Sequence, residues 1–205
     1  MDVQVVKSKF LRNMFDQNTY VLLSQKSAII IDAGAELEDV KEVVGNRKVL
    51  AVLLTHLHFD HFWNIDQYLN AWNCDVYCVE GEEERFVRND LNGSFIIRQN
   101  IVKNIDNNLI KNYAEKLKIG EFNFDVIFTP GHTSDGVCLL LEDKLFTGDT
   151  VFVDAIGRTD LADSNPFEMK DSLLKIRDID FSVAYPGHYE SATKEQILKA
   201  INYYL

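Results

Sequence analysis

Thr55-His56-Leu57-His58-Phe59-Asp60-His61 follows directly on residues 49–54, Val-Leu-Ala-Val-Leu-Leu. An apolar run without alternation suits a strand buried on both faces, so the polar stretch that ends it is expected on a strand-end loop. His56 and His58 are two apart, and in an extended loop they point the same way and can grip one ion. Asp60 and His61 continue around the turn toward a neighbouring position.

Outward from this stretch, two extended segments open the chain over 3–10 and 19–24. A third, β-branched run at 28–31 ends at Asp32-Ala33-Gly34, which reads as an antiparallel start. Leu37, Val40, Val43 and Val44 recur at helical spacing and give way to Gly45-Asn46. After the histidine stretch the pattern predicts a helix over 64–72 and a strand over 75–79. Residues 80–115 carry little periodicity; 82–88 suits a helix, and Asn92-Gly93-Ser94 punctuates the segment. Strand character returns over 121–128, followed by Thr129-Pro130-Gly131-His132-Thr133 and a predicted hairpin, 137–141 and 144–147, turning at Glu142-Asp143. Two helices close the chain. The first opens at Asn165-Pro166 with Glu168 at its third position; the second opens at Thr193, with Gln196 completing a capping-box pattern. Between them 183–186 is a short strand leading to Gly187-His188. With 205 residues, no internal repeat and no linker-like tract, one domain over 1–205 is expected.

All five histidines of the chain, together with Asp60 and Asp149, fall just after predicted strands. If those strand ends meet at one edge of the sheets, His56, His58, Asp60, His61, His132, Asp149 and His188 converge. One ion would require three or four protein ligands. Seven suit two cations about 3.5–4 Å apart, which can share a bridging water, lower its pKa toward neutrality and keep positions open for a substrate oxygen. A carboxylate such as Asp149 can bridge both ions. Imidazole and carboxylate without thiolate suit Zn and also accept Fe or Mn. Asp32, at the end of its strand, is expected either as a turn residue or as a group that orients a ligand histidine.

The ordered motifs His56-x-His58-x-Asp60-His61, Thr129-Pro130-Gly131-His132-Thr133, Thr147-Gly148-Asp149-Thr150 and Pro186-Gly187-His188 resemble those of the metallo-β-lactamase superfamily. The resemblance implies an α/β fold, an αββα sandwich of two mixed β-sheets flanked by helices. It also implies one metal site formed by His56, His58 and His132, a second by Asp60, His61 and His188, and Asp149 bridging them. Within the superfamily, the block from Leu145 to Phe152 followed by Gly157-Arg158-Thr159-Asp160-Leu161 is similar to the glyoxalase II-like (hydroxyacylglutathione hydrolase-like) thioesterases. Persulfide dioxygenases share the Gly-Arg-Thr-Asp element. The added C-terminal helical domain that supplies glutathione contacts in glyoxalase II has no counterpart in the 17 residues after His188.

The resemblance therefore implies a metal-dependent hydrolase with two divalent ions, acting on a small-molecule thioester through a hydroxide that bridges the ions. Asp60 would hold one ion and relay a proton. Arg158 lies where an anionic substrate tail could meet a guanidinium, or where an Arg158–Asp160 pair would pin the loop. Trp63 and Tyr189 stand where glycine is common in the family, and Ser134-Asp135-Gly136 replaces the usual Pro-Gly-Ser. Aromatics beside ligand loops narrow the mouth or supply an apolar wall, so a small or slender substrate is expected. The alternatives are a mononuclear iron persulfide dioxygenase, a lactonase and, in a different class, a non-catalytic metal-binding module, whose sign would be a lost ligand. None of the seven is lost.

With 21 basic and 32 acidic residues, a net charge of −11, the chain lacks the electrostatic footprint of a nucleic-acid or anionic-membrane binder. Cys74, Cys78 and Cys138 lack paired metal or redox spacing and are expected to be buried, reduced thiols. Charges interrupt the N-terminal apolar residues, and no later run reaches the ~20 residues that span a bilayer. A cytoplasmic protein is expected.

Overall fold

The computed structural model describes residues 1–9 and 16–205, and the chain divides into two compact units, Met1–Asn112 and Tyr113–Leu205. Each unit is built on its own mixed β-sheet with flanking helices.

In the first unit the sheet order follows the chain: β1 (Asp2–Lys7), β2 (Asn18–Leu23), β3 (Ser27–Ile31), β4 (Lys48–Leu53), β5 (Asp75–Cys78) and β6 (Ile110–Asn112). The β1–β2 and β2–β3 pairs are antiparallel, and β3–β4, β4–β5 and β5–β6 are parallel. Every residue of β3 is buried, as expected of a central strand covered on both faces. Helices α1 (Leu37–Val44) and α2 (Ile65–Trp72) contribute Val40, Val44, Ile65, Tyr68 and Leu69 to one core with Val21, Ile30, Val52 and Val76. Gly45 at φ 61° ends α1, and Asn73, in the left-handed conformation at φ 44°, ends α2; both take a positive φ that releases the chain from a helix. The predicted opening strand over 3–10 is observed as β1, while Phe10 lies outside the described residues.

The second unit has the sheet order β12 (Ala192–Thr193), β11 (Val183–Pro186), β10 (Lys144–Gly148), β9 (Val137–Leu141), β8 (Phe122–Phe128) and β7 (Lys116–Ile119). All neighbours are antiparallel except β10–β11, which are parallel. Met169, Leu173 and Ile176 of α3 (Pro166–Asp178) pack with Ile197, Ala200 and Ile201 of α4 (Lys194–Tyr204) over Cys138, Leu145 and Ala184. Both helix starts are as the sequence predicts. The Asn165 side chain accepts from the amides of Phe167 and Glu168 with Pro166 in the first turn, and Thr193 and Gln196 form a reciprocal capping box.

Two differences stand out. The predicted helix over 82–88 is a single 3₁₀ turn, Glu83–Phe86, and the short edge strands β6 and β7 have no counterpart in the sequence reading. The three cysteines are free and buried, and burial pushes the thiols of Cys74 and Cys138 up to about 11, so they stay protonated. Among the described residues no helix is long and apolar enough to cross a membrane.

Candidate metal centre

In the first unit the parallel pairing of β3 and β4 places their C-terminal ends at the same edge of the sheet. Asp32 leaves β3 there, and the stretch from His56 to His61 leaves β4, closing in a 3₁₀ turn, Phe59–His61. Leu57, Phe59 and Phe62 join the unit's core, which anchors the loop. His56, His58, Asp60 and His61, the polar members of the same stretch, are buried too. Four buried polar groups on one short loop are costly unless something satisfies them together.

His56 Nε2 and His58 Nδ1 lie 3.2 Å apart. Two nitrogens on one tetrahedral zinc, each about 2.05 Å from it, stand about 3.3 Å apart, so the spacing fits a shared cation. His61 packs its ring against that of His56 at 4.1 Å, and its Nε2 is 4.0 Å from Asp60 Oδ2.

Asp32 fixes the orientation of His61. Its Oδ2 is 2.8 Å from His61 Nδ1, and its carboxylate also accepts from the amide of Thr55 at 2.8 Å and from Thr55 Oγ1 at 2.9 Å. A carboxylate can only accept, so the proton sits on Nδ1 and Nε2 keeps its lone pair for a metal. Asp32 itself holds φ 60°, a conformation that aspartate tolerates better than most residues. It is thus both turn residue and orienting group. Gly34 completes the docking: a Cβ there would lie 2.3 Å from the carbonyl oxygen of Asp60 and 2.2 Å from Gln17 Oε1. Replacing Asp32 by asparagine is expected to weaken metal affinity about 10–100-fold while keeping the fold. Chelator competition measures this, and an unchanged affinity would remove Asp32 from the ligand's support.

The second unit repeats the logic. β8, β10 and β11 run in the same direction, so His132, Asp149 and His188 all leave the sheet at one edge. Asp149 Oδ2 is 3.4 Å from His188 Nε2 and 3.7 Å from His132 Nε2. His132 Nδ1 lies 2.9 Å from the backbone carbonyl of Arg158, which leaves Nε2 directed at Asp149, and Ser164 Oγ donates to the His132 carbonyl at 2.8 Å. These two supports escape sequence reading, because a backbone carbonyl carries no side-chain signature. The Arg158 guanidinium forms a two-pronged pair with Asp160, at 2.8 and 3.0 Å, on the surface. The loop is thus pinned on one side and holds His132 on the other.

The sequence matches the metallo-beta-lactamase superfamily over residues 12–188. The chain belongs to this superfamily. It is 34% identical to the probable metallo-hydrolase YqgX of Bacillus subtilis (strain 168), over 72% of each chain. It is 32% identical to the probable polyketide biosynthesis zinc-dependent hydrolase PksB of the same organism, over 80% of this chain and 68% of the relative. Among solved structures, the BLEG-1 B3 metallo-beta-lactamase superposes with a TM-score of 0.89 at 28% identity, covering 99% of both chains. Membership of the metallo-beta-lactamase superfamily and these relatives support an enzyme, a metal-dependent hydrolase built on two mixed sheets flanked by helices.

The remaining predicted contacts separate. Trp63 is half-buried against the first unit's core, with Lys103 Nζ 5.6 Å from its ring centroid. Tyr189 is 65% exposed and holds φ 66°, a region where a non-glycine residue costs roughly 1–2 kcal/mol. Its ring stands edge-on to Phe152 at 5.4 Å, and Phe152 in turn faces His188 at 6.5 Å. Phe152 is an aromatic neighbour of His188 that the sequence reading marks only as the end of the block from Leu145 to Phe152.

Proposed function

We propose that this chain is a dinuclear metallo-hydrolase that cleaves a small or slender thioester. His56, His58 and His132 would hold one ion, Asp60, His61 and His188 the other, with Asp149 serving both. The observation that carries this reading is the donor spacing within each unit, 3.2 Å for the His56–His58 nitrogens and 3.4 and 3.7 Å around Asp149 Oδ2. The family match spans both donor sets. Zinc is the metal favoured by the donor types and by the naming of PksB.

Two bound divalent ions would supply a nucleophile derived from water near neutral pH and a Lewis acid for the substrate carbonyl. The chain's own groups do the rest. Asp32 and the Arg158 carbonyl hold His61 and His132 in the tautomer that offers Nε2. The Asp60 carboxylate would take up the proton released as water adds to the carbonyl carbon. The carbon–sulfur bond then breaks, giving a carboxylate and a thiolate that takes up a proton. Tyr189 and Phe152 supply an apolar wall with a phenol at its exposed edge, Arg158 offers a cation to an anionic tail, and Trp63 lends the exposed part of its indole.

The thioester assignment rests on the similarity of the block at 157–161 to glyoxalase II-like enzymes. Its test is turnover of a panel of thioesters with small and bulky acyl groups. Hydrolysis of the slender members that disappears on chelation and returns with added zinc is the expected result. Turnover that survives chelation, or equal turnover of bulky and slender members, contradicts the proposal.

A further inference from the structure

Residues 82–103 of the first unit contain no strand or α-helix, yet buried polar side chains tie them into a fixed shape. Arg85 is buried; its Nε donates to Glu82 Oε2 at 2.7 Å and its Nη1 to the Leu91 carbonyl at 2.9 Å. Asn92 is fully buried and donates to the carbonyls of Arg85 and Ile101 at 2.8 and 3.1 Å, while its Oδ1 accepts from the Ser94 amide at 3.0 Å. Ser94 Oγ accepts from the Ile101 amide, and the Lys103 amide donates to the Phe86 carbonyl. Such a satisfied network rigidifies a loop.

The inner side of the loop is core: Phe86 and Ile101 are buried, and Ile97 packs against them. Its outer side mixes charged and polar residues, Arg88, Asp90 and Arg98 among them, with exposed apolar ones. Val87, Phe95, Ile96 and Val102 are exposed, four of the ten exposed large hydrophobic side chains among the described residues. A loop has no need of such a surface for its own stability, since exposing it gains nothing from burial.

The loop meets the metal centre at one point. The Asn92 carbonyl accepts from the Phe59 amide at 2.9 Å, and Gly93, at φ 75°, lies against the ring of His58. A Cβ at residue 93 would sit 3.3 Å from His58 Cδ2 and 3.7 Å from its Nε2. Phe95 follows two residues later, at most about 7 Å along the chain. The exposed pair Phe95 and Ile96 therefore follows within three residues of the glycine that abuts His58. Four partly exposed side chains fall well short of the roughly 800 Å² per partner that a stable protein interface buries, but they suit one hydrocarbon chain.

We propose that Phe95 and Ile96 set the specificity of the enzyme by receiving an unbranched, apolar acyl chain whose carbonyl lies beside His58. The proposal rests on the thioester reading and narrows its substrate class to slender aliphatic acyl groups. With the full-length, zinc-loaded protein, kcat/KM for the acetyl, butanoyl and hexanoyl thioesters of N-acetylcysteamine is expected to rise about 2–4-fold per methylene. In the Phe95→Ser, Ile96→Ser double variant the hexanoyl-to-acetyl ratio is expected to collapse to about 3 or less. Both side chains are exposed, and an unchanged melting temperature verifies that the variant folds. A ratio that is flat in the parent, or equally steep in the variant, overturns the proposal. Calorimetric binding of acetate, butanoate and hexanoate to both proteins gives the same decision without turnover. If no thioester is hydrolysed the thioester reading fails by itself, while a chain-length rise in carboxylate affinity that the double variant loses still supports the acyl site, and its absence overturns it.

Discussion

Asp149→Ala is expected to lower kcat/KM by about 10³-fold or more while leaving the fold in place. The carboxylate faces two histidines, His188 at 3.4 Å and His132 at 3.7 Å. Its side chain is 12% exposed and belongs to no hydrophobic cluster, so its loss opens no cavity in the core. In the proposed centre its loss would remove negative charge between two cations, and stabilisation of this kind contributes several kcal/mol to a hydrolytic transition state. Steady-state kinetics with a thermal melt separates this from unfolding. Activity within about 10-fold of the parent would mean that Asp149 serves neither ion, and the proposed centre would fail.

Gly157→Ala is the second large effect, and it acts through geometry alone. A Cβ on residue 157 would lie 1.9 Å from the backbone oxygen of Asp149 and 2.9 Å from Cβ and Cγ of His132. No flexible side-chain end is available to yield, so the Asp149 backbone or the His132 loop must shift by about an ångström. Overpacking of this sort costs about 1–3 kcal/mol of stability, and a misplacement of that size at a reacting centre costs about 100-fold in rate. The expected result is a lowered Tm together with a kcat/KM reduced by about 100-fold. A variant with full activity would show that the loop after Asp149 relaxes freely and does not fix His132.

The placement of the histidine loop was legible in the sequence because its polar residues alternate with groups that need a core. Leu57 and Phe59 bury themselves, and His56, His58 and His61 sit on the same loop at the end of β4. The helix starts at Asn165 and Thr193 were legible for a similar reason, since caps are local chemistry. Other features were not. The segment 82–88 has helical composition, but one turn cannot offset the cost of nucleation, and the tie from Arg85 to the Leu91 carbonyl draws the chain back early. β6 and β7 are short and half-buried, so their sequences carry little pattern. Arg158 attracts attention for its guanidinium, whereas its carbonyl holds His132. Gly157 matters through the space it leaves empty, which only the folded chain reveals.

The proposed hydrolase requires seven donors that serve two cations in one chain. Metal content by mass spectrometry, on protein purified without added metal and quantified by amino-acid analysis, decides this. About two divalent ions per chain, chiefly zinc, are expected, falling to about one or fewer in Asp149→Ala. A single iron per chain, with oxygen uptake in place of hydrolysis, would contradict it.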